Sequence, residues 1–317
     1  MCFAVTIYEF GRPWHDDPDG EIAVRLALRL GTNDSPMVFR LLIKAGPCRH
    51  CGSKGIAMID VMRLAVTKDD LLKMTVEERG LFLLLGYAAN QITALLKLIT
   101  IATNVTPDNP VEQRMTGAQT QIFVRLMVGL LNEALLLVQR RFVSSKLGPE
   151  FIPKLDAAAL DAPNSLRKRF GTSGQLATIR SNYAFHHPDM DGMEAAFQLA
   201  AKGADNEELD WSVFMTASLF NSSFYVADFV IAHGVTNALG ETDVNVAHQK
   251  FLSELSPIAN ELTEFAYGFA AAIFKKYFGG ELTLTIVAKV PNAPNIDDLR
   301  LPFFVDAPGM PRKVEAA

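Results

Sequence analysis

Long stretches in the middle of this chain repeat apolar side chains at every third or fourth position, and this spacing constrains the fold more than any other feature. The clearest stripe runs through Ile122, Leu126, Leu130, Ala134 and Leu137. Such spacing places the apolar side chains on one face of an α-helix. A chain with several such helices must bury these faces against one another, so we expect a helical bundle.

Cap residues, prolines and glycines divide this region into about seven helices with short connections. We predict helices over residues 76–104, 111–145, 153–169, 175–185, 190–202, 211–234 and 243–278. Thr75 and Glu78 form a capping-box pattern before the first helix, and Asp210 is the expected N-cap of the sixth. Gly148-Pro149 is expected to end the second helix, and Ser256-Pro257 is a candidate break in the last. Because short connections favour antiparallel neighbours, the bundle should be antiparallel.

Both ends of the chain carry the alternation that is typical of β-strands. Residues 21–30 place large apolar side chains on every even position, and residues 282–290 alternate in a similar way. Residues 2–10 and 37–44 are rich in β-branched, aromatic or aliphatic side chains. We therefore predict a mainly α fold, an antiparallel bundle of about seven helices, with a small β element formed by the two termini. The predicted divisions are a β-rich segment 1–57, a bundle 58–280, and a C-terminal strand and tail 281–317.

Composition narrows the class of protein. The chain has 317 residues, of which 49% are hydrophobic and 21% charged, and its formal net charge of −5 argues against broad, non-specific coating of nucleic acid. Its three cysteines are too few for a disulfide framework, and no signal-peptide pattern opens the sequence, so we expect a cytoplasmic location. Charged or amide residues interrupt every long apolar stretch, which predicts no membrane span.

One short stretch, Arg180-Ser181-Asn182-Tyr183-Ala184-Phe185-His186, offers chemistry that the rest of the chain does not. A guanidinium binds phosphate through a planar fork, and an imidazole moves protons near neutral pH. On an α-helix, Arg180 and His186 would lie about 120° apart and His187 about 20° from Arg180, so either histidine is a candidate. Residues 140–187 contain eight basic and three acidic residues, among them Arg167, Lys168 and Arg169, which are candidate substrate-binding residues.

This stretch resembles the HEPN superfamily, whose members carry an arginine, four to six intervening residues and a histidine on a helix of a small helical bundle. Five residues separate Arg180 from His186, and the polar Ser181 follows the arginine, as is common in that family. Asn182 stands one place later than the expected asparagine. The resemblance spans about residues 75–235 and depends on this single motif.

The resemblance implies RNA binding or metal-independent RNA cleavage without a cofactor, by a protein that forms homodimers around a composite groove. In that reading His186, or its neighbour His187, transfers protons and Arg180 stabilises charge on the phosphate. Asn182 or Ser181 would orient the imidazole or the phosphate. Some members of the family have lost catalysis and serve as binding modules, so the resemblance leaves enzymatic activity open.

The same residues could also have purely structural roles. Arg180 could be a surface cation or the partner of Asp189 or Asp191, and the two histidines could interact with the dipole at a helix C-terminus. The alternative function is accordingly a non-catalytic helical protein for interaction or dimerisation.

Two further sets of residues carry metal-ligating or polar groups. Cys48 and Cys51 have the spacing of half a zinc site, but a structural zinc site needs four ligands and no second such pair exists. Arg125, Glu133 and Asp228 are polar residues inside very apolar helices. They are expected to hydrogen-bond across the bundle or to line a groove leading to Arg180, with Asn90 or Asp228 as the candidate partner of Arg125 and of Glu133.

Overall fold

The computed structural model describes residues 58–105, 107–155, 157–169, 178–202, 208–216, 218–278 and 284–306, together with the strands at 22–26 and 39–43. For residues 22–26, 39–43, 157–158, 166–169, 219 and 284 it describes the backbone alone. The predicted strand at residues 2–10 lies outside this part of the chain.

The architecture is mainly α-helical with small antiparallel sheets, as predicted. The helices are α1 Lys68–Lys73, α2 Val76–Thr103, α3 Pro110–Val138, α4 Leu147–Phe151, α5 Ala157–Arg169, α6 Met190–Ala201, α7 Tyr225–Ala238 and α8 Val244–Phe278. The strands are β1 Ile22–Leu26, β2 Phe39–Ile43, β3 Ile59–Leu64 and β4 Leu284–Val290.

Helix α2 begins as its sequence predicts. Thr75 Oγ1 accepts a hydrogen bond from Glu78 N at 3.2 Å, and Glu78 Oε2 accepts one from Thr75 N at 2.9 Å. This reciprocal capping box satisfies two of the backbone N–H groups that every helix start leaves unpaired. Helix α3 begins in a related way, because Asn109 Oδ1 accepts from Val111 N at 2.8 Å and Pro110 occupies the first helical position.

Helix α3 ends in a π-helical turn, Gln139–Val143, rather than at Gly148-Pro149. Those two residues instead lie in the first turn of α4. Proline is tolerated there because the first turn of a helix has no intrahelical acceptor for its N–H groups.

The predicted helix over residues 211–234 is wrong in its first half, since α7 begins only at Tyr225. In the segment before α7, hydroxyl side chains accept hydrogen bonds from backbone N–H groups. Thr216 N donates to Ser222 Oγ at 3.0 Å, and Ser218 N donates to Thr216 Oγ1 at 3.1 Å. Phe214 and Ser223 pair as an isolated antiparallel bridge. Serine, threonine and asparagine favour such local bonds over a helix.

Helix α8 begins after Asp243, whose Oδ1 accepts from Asn245 N at 2.7 Å and Val246 N at 3.0 Å. It then continues through Pro257, so the candidate break does not occur. Leu255, Ile258 and Ala259 on either side of the proline are fully buried. Their burial offsets the backbone hydrogen bond that proline removes.

The core lies between α2, α3, α5 and α8. Phe142 and Phe151 from one side meet Phe265 and Phe269 of α8 with ring centroids 5.0 to 5.7 Å apart, mostly edge to face. Helices α6 and α7 pack together around a smaller cluster, Ala196, Ala200 and Val230. These contacts fix the positions of α3 and α7, which carry the candidate site.

The two ends of the bundle meet in a sheet. Strand β3 pairs antiparallel with β4, so that Ile59 faces Val290 and Leu64 faces Leu284, while β1 and β2 pair with each other. Strand β3 lies in the range assigned to the bundle and was missed. An irregularity between Val61 and Met62 interrupts its period-two alternation, which is the signal that reveals a strand in a sequence.

Two of the described helices, α2 and the continuous helix Pro110–Val143, are long and apolar enough to cross a membrane by length and composition. Core helices of soluble proteins pass the same test. Half of the apolar window of Pro110–Val143 is buried, but only 22% of the window in α2 is. Helix α2 therefore presents much of its apolar surface outward.

Candidate functional site

The stretch from Arg180 to Ala184 forms a π-helical turn. The α-helix predicted over residues 175–185 is thus corrected for residues 180–184, while residues 175–177 lie outside the described part. Single π-turns are rare and occur frequently at functional sites. Because such a turn is wider than an α-helical one, the angles of about 120° and 20° expected from an α-helix do not hold across it.

Two glycines let this turn approach its neighbouring helices. A Cβ atom at Gly129 of α3 would lie 2.8 Å from the ring of Phe185, and one at Gly234 of α7 would lie 2.6 Å from Tyr183 Oη. Any other residue at either position would collide with an aromatic side chain of the motif. Ile179, which precedes the turn, is fully buried in the core. The turn is therefore held between α3 and α7 by its aromatic side chains.

Tyr183 packs between the helices rather than beside Arg180. Its phenol packs against the main core, and burial raises the pKa of the hydroxyl. Phe185 packs on Gly129 of α3 in the same way, although about half of its surface is exposed.

The guanidinium of Arg180 is engaged by α3. Its Nη2 donates to Glu133 Oε1 at 2.8 Å, and the two side chains keep 29% and 49% of their surface exposed. Its Nε is buried and has no hydrogen-bond partner among the described residues. The expected alternatives, Asp189 and Asp191, are not its partners. Asp189 instead caps α6 by accepting a hydrogen bond from Gly192 N at 2.8 Å.

The remaining motif residues face water. Ser181, Asn182, His186 and His187 are all exposed, and none of their side chains forms a hydrogen bond or ion pair with another residue that the structure describes. Both imidazoles follow the π-turn directly. The site therefore presents one partly covered cation, a half-exposed carboxylate and two accessible imidazoles on the surface beside α3.

Other predicted residues are placed less completely. Arg167, Lys168 and Arg169 occupy the last residues of α5, where only the backbone is described. Cys48 and Cys51 lie outside the described residues. Within the described part of the chain, no group of three or more histidine, cysteine, aspartate or glutamate residues could hold a metal ion.

The polar residues of the apolar helices divide into two groups. Arg125 meets Asp228, as the sequence analysis allowed, with Nη2 donating to Oδ1 at 3.1 Å. Burial lowers the pKa of Arg125 and raises the pKa of Asp228, while the attraction between them acts in the opposite direction on each group. Glu133 does not join this pair but turns to Arg180, a contact that the sequence analysis missed.

Gly129 and Gly234 are site residues that no sequence pattern identified, and Glu133 was expected near Arg180 only as part of a groove lining, not as its direct partner. Gly129 and Glu133 are four residues apart and so share one face of α3. A glycine inside an otherwise apolar helical stripe was the available signal, since it often marks close approach of another part of the chain.

No known protein-family model matches this chain, and no curated protein or solved structure is similar enough to it to count as a match. The comparisons therefore bear neither for nor against the HEPN resemblance, which depends on the residues of the motif.

Proposed function

We propose that this protein binds RNA and cleaves it without a metal ion, in the manner of the HEPN proteins that its motif resembles. The supporting observation is the surface arrangement of the motif. Two exposed imidazoles without described partners follow the same turn that fixes Arg180 between α3 and α7. All three side chains are at least partly exposed, and in this proposal one RNA phosphate contacts them from the solvent side.

The chemistry requires one proton acceptor, one proton donor and a cation. A neutral imidazole, His186, removes the proton from a 2′-hydroxyl, and that oxygen attacks the adjacent phosphorus. The bond to the 5′-oxygen breaks, and the leaving oxygen takes a proton from a second donor, for which His187 is the candidate. The products are a 2′,3′-cyclic phosphate and a 5′-hydroxyl. Arg180 stabilises the charge that grows on the non-bridging oxygens.

Glu133 gives this proposal a consequence for binding. In the RNA-free protein its carboxylate neutralises Arg180 at 2.8 Å, so a phosphate must displace it or share the guanidinium with it. A half-exposed ion pair contributes only about 0–1 kcal/mol, so this exchange is energetically accessible. Replacing Glu133 by glutamine keeps the side-chain shape and removes the competing charge. We expect Glu133→Gln to bind RNA more tightly than the unmodified protein.

The test uses end-labelled single-stranded RNA in the presence of EDTA. We expect cleavage that leaves cyclic phosphate ends, reduced about 100-fold or more by Arg180→Ala and by His186→Ala. Lys97→Ala is the matched control, because Lys97 is an exposed cation on the distant helix α2. Circular dichroism verifies that each variant is folded. Absence of any interaction with RNA, or cleavage that is equal in all four proteins, contradicts the proposal.

A second candidate function, dimerisation or protein interaction without catalysis, is favoured by the outer face of α2. Leu84, Tyr87, Ala94 and Leu98 repeat at steps of three, seven and four residues along this helix, and all four are exposed. This is the spacing of a seam between two helices. Sedimentation velocity distinguishes the cases: Tyr87→Glu should convert a dimer to a monomer, whereas Met190→Glu, at an even more exposed site on α6, should not. A protein that is monomeric from the start contradicts this candidate.

A further inference from the structure

The ring of Phe185 lies flat on α3 instead of meeting it with an edge. A Cβ atom at Gly129 would lie 2.8, 2.8 and 2.9 Å from Cε2, Cζ and Cδ2, which are three consecutive atoms of this ring. A point almost equally distant from three consecutive atoms of a six-membered ring lies over the ring face, close to its centre. One face of Phe185 therefore covers Gly129.

The opposite face of the ring points away from α3. Phe185 keeps 49% of its surface exposed, which fits a ring that is covered on one face and open on the other. Among the described residues, no other aromatic ring packs against it. Aromatic rings gain energy when a second flat ring stacks on them with an offset. The open face of Phe185 is therefore a surface on which a planar group can stack.

This open ring lies beside the guanidinium of Arg180. Gly129, which the ring covers, and Glu133, which accepts from Arg180 Nη2 at 2.8 Å, are one helical turn apart on the same face of α3. One turn corresponds to about 6 Å along the helix axis. A single nucleotide bridges a separation of this size between its phosphate and its base.

The surface of α3 beyond the ring is apolar. Leu126 and Ile122 lie on the same helix face, on the side of Gly129 away from Glu133, and are 37% and 39% exposed. Arg125, the single charged residue between Ile122 and Glu133, pairs with Asp228 of α7. This end of the surface suits an apolar, flat group, whereas the charged end at Arg180 suits a phosphate.

We propose that Phe185 is a stacking platform for an unpaired base of the RNA whose phosphate Arg180 binds, an inference that rests on the proposed function. The base stacks on the open ring face while its phosphate takes the guanidinium from Glu133 or shares it. Every base has an aromatic face, so this contact tolerates any RNA sequence. Bases within a duplex already stack on their neighbours, so the platform favours single-stranded regions.

The test measures binding of the full chain to two labelled oligomers by fluorescence anisotropy. One is six 2′-O-methyl uridines, which lack the attacking hydroxyl and so are not cleaved. The other has the same phosphates and sugars but no bases. Phe185→Leu keeps an apolar side chain over Gly129 and removes the ring. We expect it to weaken binding of the uridine oligomer about tenfold and to leave binding of the abasic oligomer unchanged.

Three further variants make the result specific. Phe185→Tyr keeps the ring and should bind both oligomers like the unmodified protein. Phe220→Leu removes a phenylalanine outside the motif that is 73% exposed, and it should also leave both affinities unchanged. Arg180→Ala removes the phosphate contact and should weaken binding of both oligomers. Circular dichroism verifies that each variant is folded.

The outcomes separate this inference from the proposed function. If Phe185→Leu weakens both oligomers equally, the ring only supports the turn, and if it weakens neither, the ring does not contact a base. Either result overturns the stacking platform, while weaker binding by Arg180→Ala would still support the RNA site. If the unmodified protein binds neither oligomer, the proposed function fails and the platform fails with it.

Discussion

The two arginine–carboxylate pairs of α3 differ in how far they are withdrawn from water. The side chains of Arg125 and Asp228 are 11% and 24% exposed, whereas those of Arg180 and Glu133 are 29% and 49% exposed. Removing one partner of a buried pair leaves an uncompensated charge in the protein interior, but an exposed charge remains solvated. Similar distances therefore do not imply similar contributions to stability.

We expect Asp228→Ala to lower the free energy of unfolding by about 3–5 kcal/mol, because Arg125 would stay buried without its partner. Glu133→Ala, which serves as the matched variant on the same helix, should lower it by less than about 1 kcal/mol. Urea unfolding followed by circular dichroism measures both. Equal losses in the two variants would show that the difference in exposure has no energetic consequence.

The buried carboxylate of Glu78 belongs to a polar cluster that joins α2, α8 and α4. It accepts hydrogen bonds from Lys276 Nζ and Tyr277 Oη, both at 2.5 Å, and Lys276 also binds Glu150 of α4 at 2.6 Å. Burial acts to raise the pKa of Glu78, but hydrogen bonds from Lys276, Tyr277 and Thr75 together lower it to about 2. The sequence revealed Thr75 and Glu78 by their spacing. It did not reveal Lys276, because nothing links residues 198 positions apart until the chain has folded.

A carboxyl whose pKa is lower in the folded state stabilises the protein above its unfolded pKa, which is about 4.5, and this contribution disappears as the pH falls towards about 2. Glu78→Gln preserves the capping box but removes the charge. We therefore expect the variant to be less stable at pH 7 by about 2–4 kcal/mol, with the difference from the unmodified protein shrinking between pH 4.5 and pH 2. Denaturant unfolding at several pH values measures this. Glu77→Gln, an exposed neighbour in the same turn, is the control and should show little difference at any pH.

At the scale of elements, glycines on exposed and contacted helix faces should respond in opposite directions to the same substitution. Gly86 of α2 is exposed, and a Cβ there meets no atom within 4 Å, so Gly86→Ala should raise stability by about 0.5–1 kcal/mol. Gly129→Ala gains the same helix propensity but must displace Phe185. We therefore expect the free energy of unfolding to fall by about 1 kcal/mol overall. Combining Gly129→Ala with Phe185→Ala removes the collision, so the losses should not add. Additive losses would mean that Phe185 does not rest on Gly129.

Sequence patterns located most helices because caps and apolar stripes are local signals. The start of α2 at Thr75, the start of α6 at Met190 and the start of α8 after Asp243 all follow from a few neighbouring residues. The start of α7 and the π-turn at Arg180 could not be found in this way. Before α7, hydrogen bonds from side chains to the nearby backbone compete with the helix. At Arg180, the π-turn packs against Gly129 and Gly234, which are distant in sequence. The exposure of the candidate histidines likewise depends on that packing rather than on their spacing.

At the scale of the whole molecule, the C-terminal segment returns across the bundle and is held at three places. Strand β4 pairs with β3, Asn104 Nδ2 donates to the carbonyl oxygens of Ile296 and Leu299 at 2.8 and 3.2 Å, and Asn221 bonds to both backbone groups of Val305. The alternation at residues 282–290 predicted the strand and its meeting with the N-terminal part of the chain. It did not identify β3 as the partner, because the irregularity at Val61 conceals that strand.

Removal of residues 281–317 should therefore loosen β3 without unfolding the core. Within the described part of the chain, β3 pairs in its sheet only with β4. Without β4 it loses these interstrand hydrogen bonds, and an isolated strand is not stable in water. We expect the amides of Ile59–Leu64 to lose protection from hydrogen exchange and proteases to cut there first, while amides of α2, α3 and α8 stay protected. Asn104→Ala and Asn221→Ala, each expected to cost about 1–2 kcal/mol, separate the asparagine contacts from the sheet. If truncation leaves exchange and proteolysis at β3 unchanged, the pairing of the two chain ends does not hold that segment.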